Sequence, residues 1–235
     1  MEVSELITIH VCTLIVIVIS VVLGRELWER YRNNLLTSSL LIFLYVLSIA
    51  VTYIAIFLFR FPTPDRNMVQ STGLLIPAIG IGGLGFIPYP GALFSIYLVE
   101  PRGKKIWITL VSVIEALYVM SLIFLPPACV EVRAGVFEWV VIGMAANMTY
   151  LTLVIAAVPV ILFSAFSFKS RDRRNRAKGI MLALSFAMLA FLVTVCDGIG
   201  GYVPIGIRRG FIALVVIILY LGFIMPSWLS RILKV

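Results

Sequence analysis

A short, strongly basic stretch between two long apolar runs constrains the fold of this chain more than any other feature. Residues 168–179 hold six Lys or Arg within ten positions. Short loops rich in Lys and Arg stay on the cytoplasmic side of a membrane, because these side chains are costly to translocate. We therefore predict that this stretch is cytoplasmic, and the side of every other loop then follows by alternation.

The composition indicates a membrane protein. Hydrophobic residues make up 62% of the chain, charged residues 13%, and the mean hydropathy is +1.11, whereas soluble domains carry about 25% charged residues. A helix needs about 20 apolar residues to cross a bilayer. We predict an all-α protein of the cell membrane, a single seven-helix transmembrane domain over 1–235 without a soluble domain. The predicted spans are 6–23, 35–59, 72–99, 106–125, 137–166, 180–202 and 211–226.

The distribution of basic residues predicts the orientation. Fourteen of the 19 Lys and Arg fall in the segments that this layout places inside, and five fall outside. The N-terminus is then outside and the C-terminus inside. The net charge of +8 is thus explained by topology, which argues against direct binding of nucleic acid.

The third predicted span contains many helix breakers. Glycine and proline both weaken helices, and backbone groups that they free inside a bilayer need protein or water as partners. We predict that this span is enclosed by other helices and kinked or broken near Pro88. Two interpretations stay open: close packing through small residues, or a broken helix whose backbone lines a substrate path. The residues concerned are Gly80, Gly82, Gly83, Gly85, Pro88 and Pro90.

Polar side chains inside the spans are the candidate functional residues. Glu115 lies near the middle of the fourth span, and Ser112 and Tyr118 lie three residues before and after it on the same face. An ionised carboxylate at that depth needs a partner, so Glu115 is predicted to be paired or protonated. It serves either as a neutral hydrogen-bonding group between helices or as a proton relay or ligand group. The other candidates are His10, Asn147, Tyr150 and Asp197.

The sequence carries no pattern for known catalytic chemistry. It has no phosphate-binding loop, zinc-protease signature or evident nucleophile–base pair. One His and three scattered Cys do not supply the ligands of a zinc or haem site. We therefore expect a protein that is not an enzyme and that holds neither a metal nor a cofactor.

The basic stretch is also a candidate binding surface. Its cations are expected to contact anionic lipid headgroups, at about 1 kcal/mol per charge near the membrane surface, or an acidic partner. They are Lys169, Arg171, Arg173, Arg174, Arg176 and Lys178.

Two stretches carry a resemblance to a known family. The first is the aromatic and basic segment Trp28–Arg32 after the first span, and the second is Arg171–Gly179, which leads into a sixth span that continues to Asp197 and Gly198. The layout resembles the seven-transmembrane sensor modules at the N-termini of prokaryotic histidine kinases. The resemblance implies a receptor-like or partner-binding module without its own output domain.

Two other kinds of function remain open. The chain is alternatively a pore or carrier subunit of a transport machine, for a small solute, a proton-coupled substrate or DNA import. It is otherwise a structural subunit of a membrane complex. Each alternative implies a further membrane or cytoplasmic protein, or a second copy of the chain, as partner.

Overall fold

The computed structural model describes residues 3–60, 83, 86–125, 128–133, 136–140, 144–191 and 205–233. These residues form helices and one antiparallel hairpin. The helices are α1 (Val3–Asn34), α2 (Thr37–Arg60), α3 (Pro88–Val99), α4 (Lys104–Phe124), α5 (Met144–Lys169), α6 (Arg173–Phe191), α7 (Ile205–Ile224) and α8 (Ser227–Ile232). The hairpin strands are β1 (Ala128–Arg133) and β2 (Val136–Val140).

The helices are those of a membrane-embedded protein. Within the described residues, three helical segments are long and apolar enough to cross a bilayer: His10–Asn34, Thr37–Ala55 and Lys104–Phe124. Val154–Lys169 and Gly210–Ile224 are shorter apolar segments. Large apolar side chains of α1, such as Val11, Val18 and Val22, are about half exposed, as expected of a surface that contacts lipid rather than water.

Six of the described helices form a closed ring. Each of α1, α2, α3, α5, α6 and α7 packs on the next, and α7 returns to α1. The remaining long helix, α4, packs on α3 and α5 from outside this ring. Its position explains why α4 is mostly exposed, with its buried residues confined to one face.

Aromatic side chains fill the centre of this ring of helices. Phe94 of α3 lies 5.6 Å from Phe163 of α5 between ring centroids, and Phe186 of α6 lies 5.2 Å from Tyr45 of α2. All four side chains are at most 2% exposed. Such offset and tilted ring pairs add to the stabilisation from burial.

Gly91 of α3 makes this close packing possible. A Cβ atom at Gly91 would lie 2.5 Å from Cε1 of Phe186 and 3.0 Å from two ring atoms of Tyr45. Upstream, a Cβ atom at Gly83 would clash with the side chain of Thr52 of α2. The prediction that the third span is enclosed by other helices is therefore confirmed for α3.

The structure describes only some of the glycine and proline residues that were predicted to interrupt the third span. The described helix begins at Pro88, directly after a helical turn in which the N–H of Ile87 donates to the carbonyl of Gly83, at 2.9 Å. Pro90 has no N–H to donate to the carbonyl of Phe86, four residues earlier. The described helix thus begins at the expected place, and Ile87 itself keeps the helical conformation. Gly80, Gly82 and Gly85 lie outside the described residues.

Two predicted boundaries that lie beside basic segments are corrected by the structure. The first helix does not end at Leu23 but continues to Asn34, because Arg25–Glu29 and Glu26–Arg30 form ion pairs at four-residue spacing that support a helix. The predicted basic loop is largely helical as well. Only residues 170–172 separate α5 from α6, and Asp172 Oδ1 caps α6 by accepting the N–H of Arg174 at 3.2 Å.

The fifth span begins later than predicted. Phe137 belongs to β2 and not to a helix, and α5 starts at Met144. In the hairpin, Cys129 lies opposite Trp139 and Val130 opposite Glu138. Val136–Val140 is rich in β-branched and aromatic residues, which favour strands, and hydropathy alone does not distinguish such a run from the start of a helix. Downstream, α5 runs through Pro159.

Candidate functional site

A buried carboxyl group lies in the middle of α4. Glu115 is 5% exposed, and it shares the buried face of α4 with Val111, Tyr118 and Ser121. These residues recur at three- and four-residue spacing, which places them along one side of a helix. Glu115 is eleven residues from the start of α4 and nine from its end, hence about 14–16 Å from either end by helix rise.

Both carboxylate oxygens of Glu115 lack a hydrogen-bond partner among the described residues. Toward the N-terminal end of α4, its next turn contributes Val111 to an apolar cluster with Ala92 and Ile96 of α3 and Ile155 and Val158 of α5. A charged carboxylate next to such a cluster would carry a large desolvation cost. The arrangement therefore favours a neutral carboxyl group that can donate one hydrogen bond.

A second polar feature lies one turn from Glu115. The hydroxyls of Tyr89 in α3 and Ser112 in α4 are 3.0 Å apart and form a hydrogen bond in which either can donate. Tyr89 is the second residue of α3. The predicted polar face of α4 is thus joined to the start of α3 through Tyr89, a residue that the sequence analysis did not select. Its position between Pro88 and Pro90 was the only signal that could have identified it.

Of the other predicted intramembrane candidates, His10 is the one whose side chain belongs to the described part of the structure. His10 stacks edge-on against Phe57 of α2, with ring centroids 5.7 Å apart, and its helix packs on α2 and α7. Asn147 and Tyr150 belong to the first turns of α5, but their side chains are outside the described part of the structure. Asp197 lies outside the described residues.

A separate polar cluster surrounds the C-terminal end of α7. The hydroxyl of Tyr220 donates to Glu26 Oε2 of α1 at 2.5 Å, and Glu26 Oε1 lies 3.5 Å from Arg30 Nη2. From the other side, Arg174 Nη2 of α6 donates to the carbonyl oxygen of Met225 at 3.3 Å. Met225 has a φ of 49° and ends the helix. A cation at the C-terminal end of a helix is favourable because the free carbonyls there carry partial negative charge.

The remaining cations of the predicted basic surface differ in exposure. Arg171, Arg173 and Arg176 are exposed, and within the described residues no carboxylate oxygen lies within 4.0 Å of their side chains. Lys178 is half-buried. Burial lowers the pKa of Lys178, the nearby charges of Arg174 and Arg30 lower it further, and Asp172 acts in the opposite direction.

No family model matches this chain, and no curated protein is similar enough to identify a relative. The two polar regions themselves are therefore the basis for inferring a function. In the described part of the chain, no three side chains of His, Cys, Asp or Glu converge on a site that could hold a metal ion.

Proposed function

We propose that the chain is a seven-span protein of the cell membrane, with its N-terminus outside, that acts as a receptor-like module and binds a partner protein at its cytoplasmic end. The observation that carries this proposal is the exposed cation surface formed by Arg171, Arg173 and Arg176. These side chains face no carboxylate among the described residues. Orientation by the basic residues places this surface in the cytoplasm.

An acidic protein surface is the partner that fits. Rim charges of opposite sign steer association and select the partner, and arginine pairs with carboxylates in a bidentate geometry that lysine does not offer. The tight connection of α5 to α6 through residues 170–172 holds the three arginines on a short, well-defined segment. A movement of α5 or α6 within the membrane would therefore be transmitted directly to the docking surface.

The topology in this proposal is testable with single cysteines. After Cys12, Cys129 and Cys196 are replaced by Ser, a Ser170→Cys variant is expected to react with a membrane-impermeant thiol reagent only in inverted membranes. A Pro64→Cys variant is expected to react only in intact cells. The opposite pattern would reverse the orientation and remove the cation surface from the cytoplasm.

The partner proposal is tested by copurification in mild detergent. Arg171→Gln, Arg173→Gln and Arg176→Gln together are expected to reduce the recovery of a cytoplasmic partner by at least about tenfold, since about 1 kcal/mol per rim charge is lost. The control carries Arg102→Gln and Lys105→Gln, which change exposed cations at the same end of another helix. Equal recovery with all variants would reject this surface as the docking site.

A transport function is the second candidate, and the burial of Glu115 favours it. A buried carboxyl group, one turn from a hydroxyl pair at the start of α3, is the arrangement from which a proton-coupled carrier subunit could work. The two proposals differ in what the inner arginines do. A carrier would keep its transport activity when the three arginines are neutralised, whereas a receptor module would lose its output.

A further inference from the structure

The cluster at the end of α7 contains more positive charge than the protein neutralises. Arg30 approaches α7 from α1 through the Glu26–Tyr220 contact, and Arg174 approaches from α6 through the carbonyl of Met225. Tyr220 and Met225 are five residues apart, about 7.5 Å along the helix. The two arginines therefore approach the same helix end from α1 and from α6, and both lie close enough to Lys178 to act on its charge.

Lys178 lies between them on the α6 side. Arg174, Lys178 and Leu182 follow each other at four-residue spacing and share one face of α6. That face is turned toward α7, because Leu182 is 3% exposed and its backbone nitrogen lies 3.3 Å from where a Cβ of Gly222 would be. Lys178 is consequently one helical turn from a close α6–α7 contact, at the level of the end of α7.

The described residues provide no ion pair for this lysine. Glu26 is engaged by Arg30 and Tyr220, and one oxygen of Asp172 caps α6. Within the described residues, Lys178 has no carboxylate within 4.0 Å. A half-buried ammonium group next to two guanidinium groups is unfavourable unless an anion is bound.

We propose that Arg30, Arg174 and Lys178 form a site for the phosphate of one anionic lipid headgroup, held against the end of α7. The three cations come from two helices, and the phosphate would bridge them with charge-assisted hydrogen bonds. A lipid is favoured over a free anion because the site lies where α6 and α7 leave their apolar segments. The adjacent short helix α8 also exposes Trp228, at 52%, and Ile232, at 68%, as expected of a helix in the membrane interface.

This inference goes beyond the proposed function, since it uses none of the three arginines assigned to the partner. Its test is native mass spectrometry of the full-length protein in detergent with added phosphatidylglycerol or phosphatidylcholine of identical acyl chains. We expect one phosphatidylglycerol molecule to be retained in preference. Arg174→Gln with Lys178→Gln should weaken its retention roughly 25-fold, at about fivefold per charge, whereas Arg171→Gln with Arg173→Gln should change it less than about twofold.

Three results would overturn the proposal. Equal losses in the two double variants would mean diffuse attraction without a discrete site. Equal retention of both lipids would mean that charge does not select the ligand. Displacement of phosphatidylglycerol by millimolar inorganic phosphate would assign the site to a free anion. Should the double variant fail to fold, Lys178→Met retains the aliphatic stem and removes the unfavourable charge, so it is expected to fold stably and still lose about fivefold in retention.

Discussion

A Gly91→Leu variant is expected to lose most of its folded population in mild detergent. The first atom of the new side chain would lie 2.5 Å from Cε1 of Phe186 and 3.0 Å from the ring of Tyr45. Neither ring can move aside, because both are at most 2% exposed and Phe186 also stacks on Phe163 at 5.9 Å. Overpacking of a dense core costs about 1–3 kcal/mol or more, and a leucine adds three carbon atoms beyond the Cβ, so we expect a loss of at least about 3 kcal/mol.

The measurement is the thermal midpoint of the purified protein, followed by its elution as a single species in size-exclusion chromatography. Gly210→Leu is the matched control, because a Cβ at Gly210 meets no atom within 4 Å. The control is expected to keep the midpoint of the parent protein. A Gly91→Leu variant with an unchanged midpoint would show that the aromatic centre of the ring of helices is packed loosely enough to hold a leucine side chain.

A Glu115→Leu variant is expected to be more stable than the parent protein and to be inactive in any proton-coupled process. A buried polar group without a hydrogen-bond partner costs about 1–3 kcal/mol, and an apolar side chain of similar volume removes that cost. Glu115→Gln retains a polar group of the same shape, so its stability is expected to stay close to that of the parent. A comparison of Glu115→Leu with Glu115→Gln therefore separates the effect of losing the titratable proton from the effect of losing a polar side chain.

Stability is measured by thermal unfolding in detergent and the protonation of Glu115 by infrared difference spectroscopy at neutral pH. A carbonyl band of a protonated carboxyl group is expected in the parent protein and should be missing in Glu115→Gln. A less stable Glu115→Leu variant would mean that a side chain outside the described part, such as that of Asn147 or Tyr150, does bind the carboxyl group. A carboxylate band in place of the carbonyl band would reveal water at this depth.

Hydropathy and length were sufficient to predict most helices, because a bilayer imposes both on the sequence. The fourth span was predicted as 106–125 and is a helix over Lys104–Phe124. The errors arose where a second signal competes with hydropathy. Val136–Val140 is apolar enough for a span but favours a strand, and the charged segment Arg25–Arg32 continues a helix through its ion pairs.

The candidate sites were predictable only as single residues. Glu115 stands out in the sequence because carboxyl groups are rare within apolar runs. Its surroundings depend on which helices meet, as in the pairing of Ser112 with Tyr89, 23 positions away in the sequence. The contact of Tyr220 with Glu26 joins residues 194 positions apart. Without related sequences, no local pattern indicates such pairs.

The position of α4 outside the ring has a consequence for how the protein could change shape. Six helices brace one another around a closed circuit, so displacing any of them disturbs two neighbours on the circuit. Among the described residues, the helix that carries Glu115 contacts this frame along one face, and 22% of its most apolar window is buried, against 33% in α1 and 56% in α2. We therefore expect that α4 can tilt while the six helices of the ring keep their contacts with one another. Such a tilt would expose the carboxyl group of Glu115 to water or to lipid without breaking any contact between neighbouring helices of the ring.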